Sequence, residues 1–286
     1  HERMDEVSAR GYAWGYIGSC IPFIISLVIV LGADGLGISM QTSMILAFLV
    51  TALWWLSSSL PLLGSYRQRY FAEAGKHVVK NSFVRLGRTF RELTKQKHIF
   101  VFLLAFFFYI DGVYTVIDMA TAYGEALGLD STGLLLALLV TQIVAFPSVL
   151  AFGRIVKKVS PEKIITVCIA AYFCIAVYAY WLDTQLDFWI LAVLVGMFQG
   201  TIQALSRSYF AKIIPAEKSG EYFGIYDICG KGASVVGTAL VSVLSQATGN
   251  INIAVSALSV MFLVGLILFR KAASLNTAGK PAGNPE

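Results

Sequence analysis

The sequence contains eight apolar stretches, each long enough to cross a lipid bilayer as a helix. A transmembrane helix requires about 20 consecutive apolar residues. Lys and Arg collect in the cytosolic loops of membrane proteins. If successive stretches cross the membrane in alternating directions, all 22 Lys and Arg residues lie on the same side of it. We therefore predict an all-α, polytopic integral membrane protein with both termini in the cytosol. The predicted spans are 11–32, 39–63, 99–119, 131–152, 163–182, 188–209, 222–246 and 250–269.

The composition supports this class and argues against two others. Hydrophobic residues make up 57% of the chain and charged residues 14%, which is too apolar for an ordinary soluble domain. The net charge of +5 does not indicate nucleic-acid binding, because the basic residues lie at the ends of the spans. The four cysteines lie within spans at spacings that match no zinc or redox motif, so we expect packing thiols, no metal and no cofactor.

The spans divide unevenly along the chain. Residues 1–63 hold two of them, residues 64–98 form a basic linker, residues 99–271 hold the other six, and residues 272–286 form a cytosolic tail. We interpret 1–63 as the last two helices of an N-terminal half and 99–271 as a complete C-terminal six-helix half. The uneven division leads us to expect further helices upstream of residue 1.

The linker has the pattern of a basic amphipathic helix suited to the inner membrane surface. Apolar residues recur there at three- and four-residue spacing, with basic residues between them. Such a helix is either a connector that fixes the positions of two halves or an element that senses lipids. The apolar positions are Val79, Phe83, Leu86, Phe90 and Leu93, and the basic ones are Lys80, Arg85, Arg88, Arg91 and Lys95.

Ionisable residues within spans are costly and therefore mark candidate functional positions. Counting from Ile99, Asp111 lies about 18 Å into the membrane and Asp118 about 28 Å, with Tyr114 between them on the same helix. A carboxylate in a low-dielectric environment takes up a proton more readily than one in water. We assign Asp111, Tyr114 and Asp118 to a substrate or proton pathway; the alternative is that Asp111 only bonds a neighbouring helix.

The span 188–209 carries a second polar stripe. Gln199, Gln203 and Arg207 lie at i, i+4 and i+8, and they suit a solute that carries a carboxylate. In the alternative interpretation, the glutamines only join helices and Arg207 extends to the lipid headgroups. Gln142, in the span 131–152, is a weaker candidate.

In the span 222–246, Asp227 and Lys231 lie at i, i+4 and are placed to neutralise each other. A lone Lys in the membrane is expensive, whereas a paired one is tolerable. We predict an ion-pair latch near the cytosolic gate that involves Asp227, Lys231 and Arg207. A direct role for Lys231 in substrate binding is the alternative.

The distribution of these polar groups carries more information than any single residue. Within the six-helix unit they concentrate in the first and fourth helices. Two three-helix repeats with a site at their interface are typical of secondary transporters.

Three runs of sequence resemble a known family. They are Gly200–Asp227, Arg10–Gly18 and Tyr109–Tyr114, and they resemble the bacterial relatives of the autophagy-type vacuolar effluxers, a branch of the major facilitator superfamily. The resemblance implies a fold of twelve helices in two halves, of which this chain holds helices five to twelve. It also implies that helices seven and ten line the central cavity, which places Asp111 and Gln199 there.

The cytosolic loop 153–163 is partly similar to the loop motif of that superfamily. Lys157 stands where the motif has Asp, and Ser160 stands where it has Gly. The gate interaction that the Asp makes in the superfamily is therefore not expected in its usual form. The loop-motif positions assigned in this chain are Gly153, Arg154, Lys158 and Lys163.

The resemblance implies a secondary active transporter that exports a small solute by alternating access. Amino acids are the best-known cargo of the vacuolar members, and protons are the expected coupling ion. We expect the protein in the plasma (inner) membrane. The alternative is a lipid translocase or a non-transporting receptor on the same scaffold.

An intramembrane enzyme is not expected. The three histidines lie outside the spans, and the sequence has no G-x-S-x-G motif. The run Gly224–Gly232 superficially resembles a phosphate-binding loop, but it lacks the Ser or Thr after the Lys and lies within a predicted span.

Overall fold

The computed structural model describes residues 3–67 and 78–278, which form α-helices and no strand. Eight helical segments of these ranges are long and apolar enough to cross a membrane, and each coincides with one predicted span. The prediction of an all-α, polytopic membrane protein is confirmed. The helices are α1 Met4–Leu31, α2 Met40–Ser65, α3 Val78–Lys95, α4 Lys97–Asp118, α5 Ala120–Ala126, α6 Ser131–Ile155, α7 Pro161–Tyr178, α8 Gln185–Ile213, α9 Ser219–Thr248, α10 Ile251–Ser256 and α11 Leu258–Ala278.

Several helices extend beyond the predicted spans, and the last span is interrupted. Helix α1 begins at Met4, seven residues before the predicted start at 11, with Asp5 and Glu6 in its first turn. Acidic residues favour the N-terminus of a helix, so α1 continues beyond its apolar stretch. The last predicted span is divided at Ala257 into α10 and α11. A hydropathy pattern measures apolar length and does not register such polar extensions or breaks.

Helix α4 lies at the centre of the bundle and packs against α8, α9 and α11. Phe106 of α4 stacks on Tyr226 of α9 with ring centroids 4.0 Å apart. The hydroxyl groups of Tyr109 on α4 and Ser206 on α8 are hydrogen-bonded at 2.7 Å. Buried aromatic pairs of this kind each stabilise a fold by about 0.5–1.5 kcal/mol beyond their area burial. This packing fixes α4, α8 and α9, which carry most of the candidate site residues.

Helices α1 and α2 lie beside this bundle. Helix α1 packs on α6 and α8, and α2 packs on α1. Ser43 is the buried residue of α2, and apolar side chains are exposed along the rest of the helix. A helix that is apolar all round suits contact with lipid or with further helices.

The amphipathic helix predicted in the linker is present as α3, and its apolar positions share one helical face that protein contacts cover only in part. Leu93 is fully buried, whereas Phe83 is 72% exposed and Phe90 is 51% exposed. Helix α3 contacts α4 and the start of α9, where Thr89 donates a hydrogen bond to Glu221 at 2.5 Å. The exposure of these positions differs because α4 and α9 cover only part of this face. The structure does not describe the side chains of Val79 and Lys80, residues 68–77 of the linker or residues 279–286 of the tail.

Candidate functional site

A cleft of about 630 Å³ lies between α1, α6 and α8. Helix α1 contributes residues at spacings of one, three and four, which repeat along a single helical face. These residues are either small or tyrosines, so they leave open space while offering hydroxyl groups. The lining residues are Ser8, Gly11, Tyr12, Gly15, Tyr16 and Ser19 of α1, Gln142 of α6, and Gln203 and Arg207 of α8.

Arg207 is the charged side chain among those that line the cleft in the described part of the chain. Its guanidinium carbon lies 4.9 Å from the centroid of the Phe223 ring on α9, and the guanidinium interacts with the Tyr12 hydroxyl. A cation–π contact of this length orients the group without neutralising it. The cleft therefore presents a positive group next to the side chain of Gln203.

A smaller cavity, of about 40 Å³, lies between α4, α6 and α8. Gln142 lines both this inner cavity and the cleft, and Gln199, only 2% exposed, lines the inner cavity. The Oε1 atoms of both glutamines are buried without a hydrogen-bond partner among the described residues. Thr141 also lines the cavity, but its hydroxyl donates to the carbonyl oxygens of Ala137 and Ala192 at 2.9 and 3.2 Å.

Asp111 does not line the cleft or the inner cavity, and its expected position in the central cavity stays a prediction. It is fully buried between α4 and α9, where its Oδ1 accepts hydrogen bonds from the Gly237 amide at 2.9 Å and from Thr115 at 3.4 Å. Its Oδ2 has no partner among the described residues. Because Gly237 has no side chain, α9 approaches α4 closely and reaches the carboxylate with its backbone.

The predicted latch of Asp227, Lys231 and Arg207 is not formed. Asp227 and Lys231 are both exposed on α9, and the ion pairs of the described residues include none between them or with Arg207. The i, i+4 spacing permits a pair but does not enforce one. Asp118 is exposed at the end of α4, and Tyr114 is half-buried beside Gly230.

Different charged groups join α1 to the rest of the bundle, at the end where α1 begins and α8 ends, here called the basic end. Lys212 of α8 pairs with Asp5 of α1. Lys157, after α6, pairs with Glu6 at 3.1 Å, and the Ser8 hydroxyl donates to the Ala204 carbonyl at 2.7 Å. Sequence reasoning missed Asp5 and Glu6, although two adjacent acids just before an apolar stretch, on the predicted cytosolic side, were a visible signal.

The loop-motif positions lie at this basic end. Gly153 packs so closely on α1 that an added Cβ would lie 2.9 Å from the Cβ of Ala9. Lys157, which replaces the Asp of the motif, meets the acidic Glu6, so the substitution is matched by an acid on α1. Arg154, Lys158 and Lys163 are exposed.

Comparisons with known proteins agree with the resemblance. The family described as "Vacuole effluxer Atg22 like" matches residues 1–277. The MFS-type transporter YxiO of Bacillus subtilis is 45% identical over 269 residues, which are 93% of this chain and 63% of that protein. Autophagy-related protein 22 of Saccharomyces cerevisiae is 25% identical over 283 residues, covering 86% of this chain and 53% of that protein.

The chain thus spans between about half and just under two thirds of the length of these relatives. The match is continuous from α1 to α11 and includes every residue that lines the cleft and the inner cavity. The expected family is confirmed. The chain belongs to the Atg22-like family of vacuole effluxers, and its relatives include MFS-type transporters.

Proposed function

We propose that this chain forms part of a secondary active transporter that moves a small carboxylate-bearing solute through the cleft between α1, α6 and α8. The observation that carries the proposal is the position of Arg207, a cation that lines a cleft of about 630 Å³ and forms no ion pair with an acid of the described residues. Relatives named as MFS-type transporters and effluxers support the transport function. Amino-acid efflux across the plasma (inner) membrane is the specific form that we propose.

The contacts of α1 support alternating access in this proposal. Helix α1 is held to α6 and α8 at the basic end by Asp5–Lys212 and Glu6–Lys157. Transporters of this architecture work by rocking one bundle against another around a fixed site. Separation of these pairs opens the basic end of the cleft, and their re-formation closes it, while Arg207 remains on α8.

Proton coupling, in this proposal, acts through helix packing rather than through contact with the solute. Asp111 accepts its hydrogen bonds from two neutral donors, the Gly237 amide and the Thr115 hydroxyl. Hydrogen bonds to an ionised acceptor are roughly twice as strong as those to a neutral one. Protonation of Asp111 therefore loosens α9 from α4, and deprotonation tightens the contact.

The test is leucine flux in proteoliposomes made with the protein from its complete coding sequence, with and without a pH gradient. Arg207→Gln is expected to reduce flux at low leucine concentration by about 10- to 100-fold, because a hydrogen bond to a charged group contributes about 1.5–3 kcal/mol. Lys271→Gln, which removes an exposed cation at the end of α11, is the matched control and is expected to leave flux unchanged.

The Asp111→Asn variant distinguishes proton coupling from leucine transport itself. Flux driven by the pH gradient is expected to be lost, whereas leucine exchange without a gradient is retained. Equal gradient-driven flux in the variant and the wild type would refute proton coupling through Asp111. Movement of a fluorescent phospholipid, with no leucine flux, would instead support the lipid-translocase alternative.

A further inference from the structure

A further cavity, of about 120 Å³, lies between α1 and α6 at the basic end and shares no lining residue with the cleft. We propose that this space, here called the α1–α6 cavity, binds a phosphate monoester group, either as free phosphate or as the headgroup of a phospholipid. Three cations and one acid line it, so its formal net charge is +2. The lining residues are Glu6, Ala9, Arg10, Leu150, Gly153, Arg154 and Lys157.

The cations of the α1–α6 cavity outnumber the acceptors that the protein supplies. The Glu6 carboxylate pairs with Arg10 at 2.6 Å and with Lys157 at 3.1 Å, so two cationic groups share one acid. The Lys157 amide donates to the Arg154 carbonyl at 3.3 Å, and a helical turn of this kind brings side chains at i and i+3 together. Arg154 forms no ion pair with an acid of the described residues. The cavity therefore offers one cation in full and two in part to an anion from outside the protein.

Charge and geometry together select the class of anion. A phosphate monoester carries about −1.5 to −2 charges at pH 7 and three strong acceptor oxygens, which matches a net charge of +2 and three cations. Arg binds such a group through two parallel hydrogen bonds, and these are stronger than bonds between neutral groups. A water molecule occupies about 30 Å³ in the liquid, so a cavity of about 120 Å³ also has room for a phosphorus atom with its terminal oxygens.

The position of the cavity along the helices gives access to both sources of phosphate. Arg10 directly precedes the predicted span 11–32, and Arg154 follows the predicted span 131–152 by two residues. At a rise of about 1.5 Å per residue, both lie within about 3 Å of the expected hydrocarbon boundary. Basic pockets between transmembrane helices on the cytosolic side bind lipid headgroups. Arg10 and Lys157 are largely exposed, so phosphate in solution reaches them as well.

The first test measures the Tm of the full-length protein, purified in a neutral detergent, with inorganic phosphate or with sodium chloride at the same ionic strength. Phosphate is expected to raise the Tm of the wild type by at least about 2 °C relative to chloride, because a ligand that binds only the native state stabilises it. Equal Tm values in the two salts would overturn the site.

Two neighbouring variants separate binding in the cavity from the general stabilising effect of phosphate salts on proteins. Arg154→Gln is expected to keep the Tm measured in chloride, because Arg154 is exposed and unpaired among the described residues, and to lose the phosphate-dependent rise. Lys158→Gln is the matched control, since Lys158 is exposed in the same turn and does not line the cavity. It is expected to keep the rise. An equal rise in Arg154→Gln and Lys158→Gln would overturn the site.

Glu6→Gln tests the shared acid. The variant frees Arg10 and Lys157 from their present partner, so phosphate is expected to bind about 2- to 5-fold more tightly, as the loss of an exposed ion pair of up to about 1 kcal/mol allows. Weaker phosphate binding in Glu6→Gln would contradict the use of these two cations by the anion.

Short-chain phospholipids identify the source of the phosphate. If the occupant is a lipid, phosphatidic acid, which carries a phosphate monoester, is expected to raise the Tm at no higher concentration than inorganic phosphate, and Arg154→Gln abolishes this rise. If the occupant is free phosphate, inorganic phosphate alone acts. Phosphatidylglycerol carries a diester with a single negative charge, and an equal rise with this lipid would overturn the monoester assignment. These measurements contain no leucine, so their result does not depend on the proposed cargo.

Discussion

The contact between α4 and α9 depends on the absence of a side chain at Gly237. A Cβ at this position would lie 2.1 Å from Thr115 Oγ1 and 2.8 Å from Asp111 Oδ1. Ordinary contacts of heavy atoms require about 3.5 Å, so Gly237→Ala must displace the Thr115 and Asp111 side chains or move α9 away from α4 by about 1 Å. The hydrogen bond from Gly237 to Asp111, now 2.9 Å, would then exceed hydrogen-bonding length.

The cost of this substitution has three parts. Overpacking costs about 1–3 kcal/mol, and the lost hydrogen bond to a carboxylate costs about 1.5–3 kcal/mol. The better helix propensity of Ala returns about 1 kcal/mol. The net loss is about 2–5 kcal/mol, so we expect the Tm of the purified protein to fall by at least about 5 °C at a fixed scan rate.

Gly232→Ala is the matched control in the same helix. Gly232 is exposed and a Cβ there would meet nothing within 4 Å, so this variant is expected to keep or raise the Tm. Adding Thr115→Ala to Gly237→Ala removes the nearest clashing atom and is expected to recover part of the loss. Equal Tm values for Gly237→Ala and Gly232→Ala would refute the close approach of α9 to Asp111.

Two further predictions concern charged groups outside the hydrocarbon region. Glu6→Lys is expected to increase the labelling, from the basic end, of a cysteine placed in the cleft. Adding Lys157→Glu restores the ion pair and is expected to reverse this increase. The coupling energy of the pair is about 0.2–1 kcal/mol because Lys157 is largely exposed. The hydrogen bond from Lys218 holds the pKa of Glu92 below its usual value of 4.5, so the contact of α3 with α9 is retained above that pH. Hydrogen-exchange protection of α3 should fall as the pH drops below about 4.5. The Glu92→Gln variant should show no such fall. A fall in both the wild type and the variant would contradict the role of Glu92.

The helical architecture was predictable because membrane spans depend on local composition. A run of about 20 apolar residues is sufficient to identify a span, and every predicted span corresponds to a helical segment, the last of them divided into α10 and α11. The polar stripe of α8 was also predictable, since Gln199, Gln203 and Arg207 follow helical spacing. These features require only the sequence of one segment.

The partners of the polar groups were not predictable, because they depend on packing between distant segments. The pair of Asp5 with Lys212 joins positions 207 residues apart. Asp111 lies in the predicted helix, but its contact with Gly237 depends on the rotation of α4 and the closeness of α9. The predicted ion pair of Asp227 with Lys231 shows the converse. Their spacing along the helix allows the pair, but both side chains are exposed and packing does not bring them together.

The proposed route of the solute is tested most directly with single cysteines on α1 in a background without the native cysteines. Gly15 lines the cleft and Gly18 does not, and a Cβ at either position meets nothing within 4 Å. A charged, membrane-impermeant methanethiosulfonate reagent is expected to block leucine flux through Gly15→Cys, and leucine is expected to slow that reaction. The same reagent should leave flux through Gly18→Cys intact. Undiminished flux after complete modification of Gly15→Cys would contradict transport through this cleft.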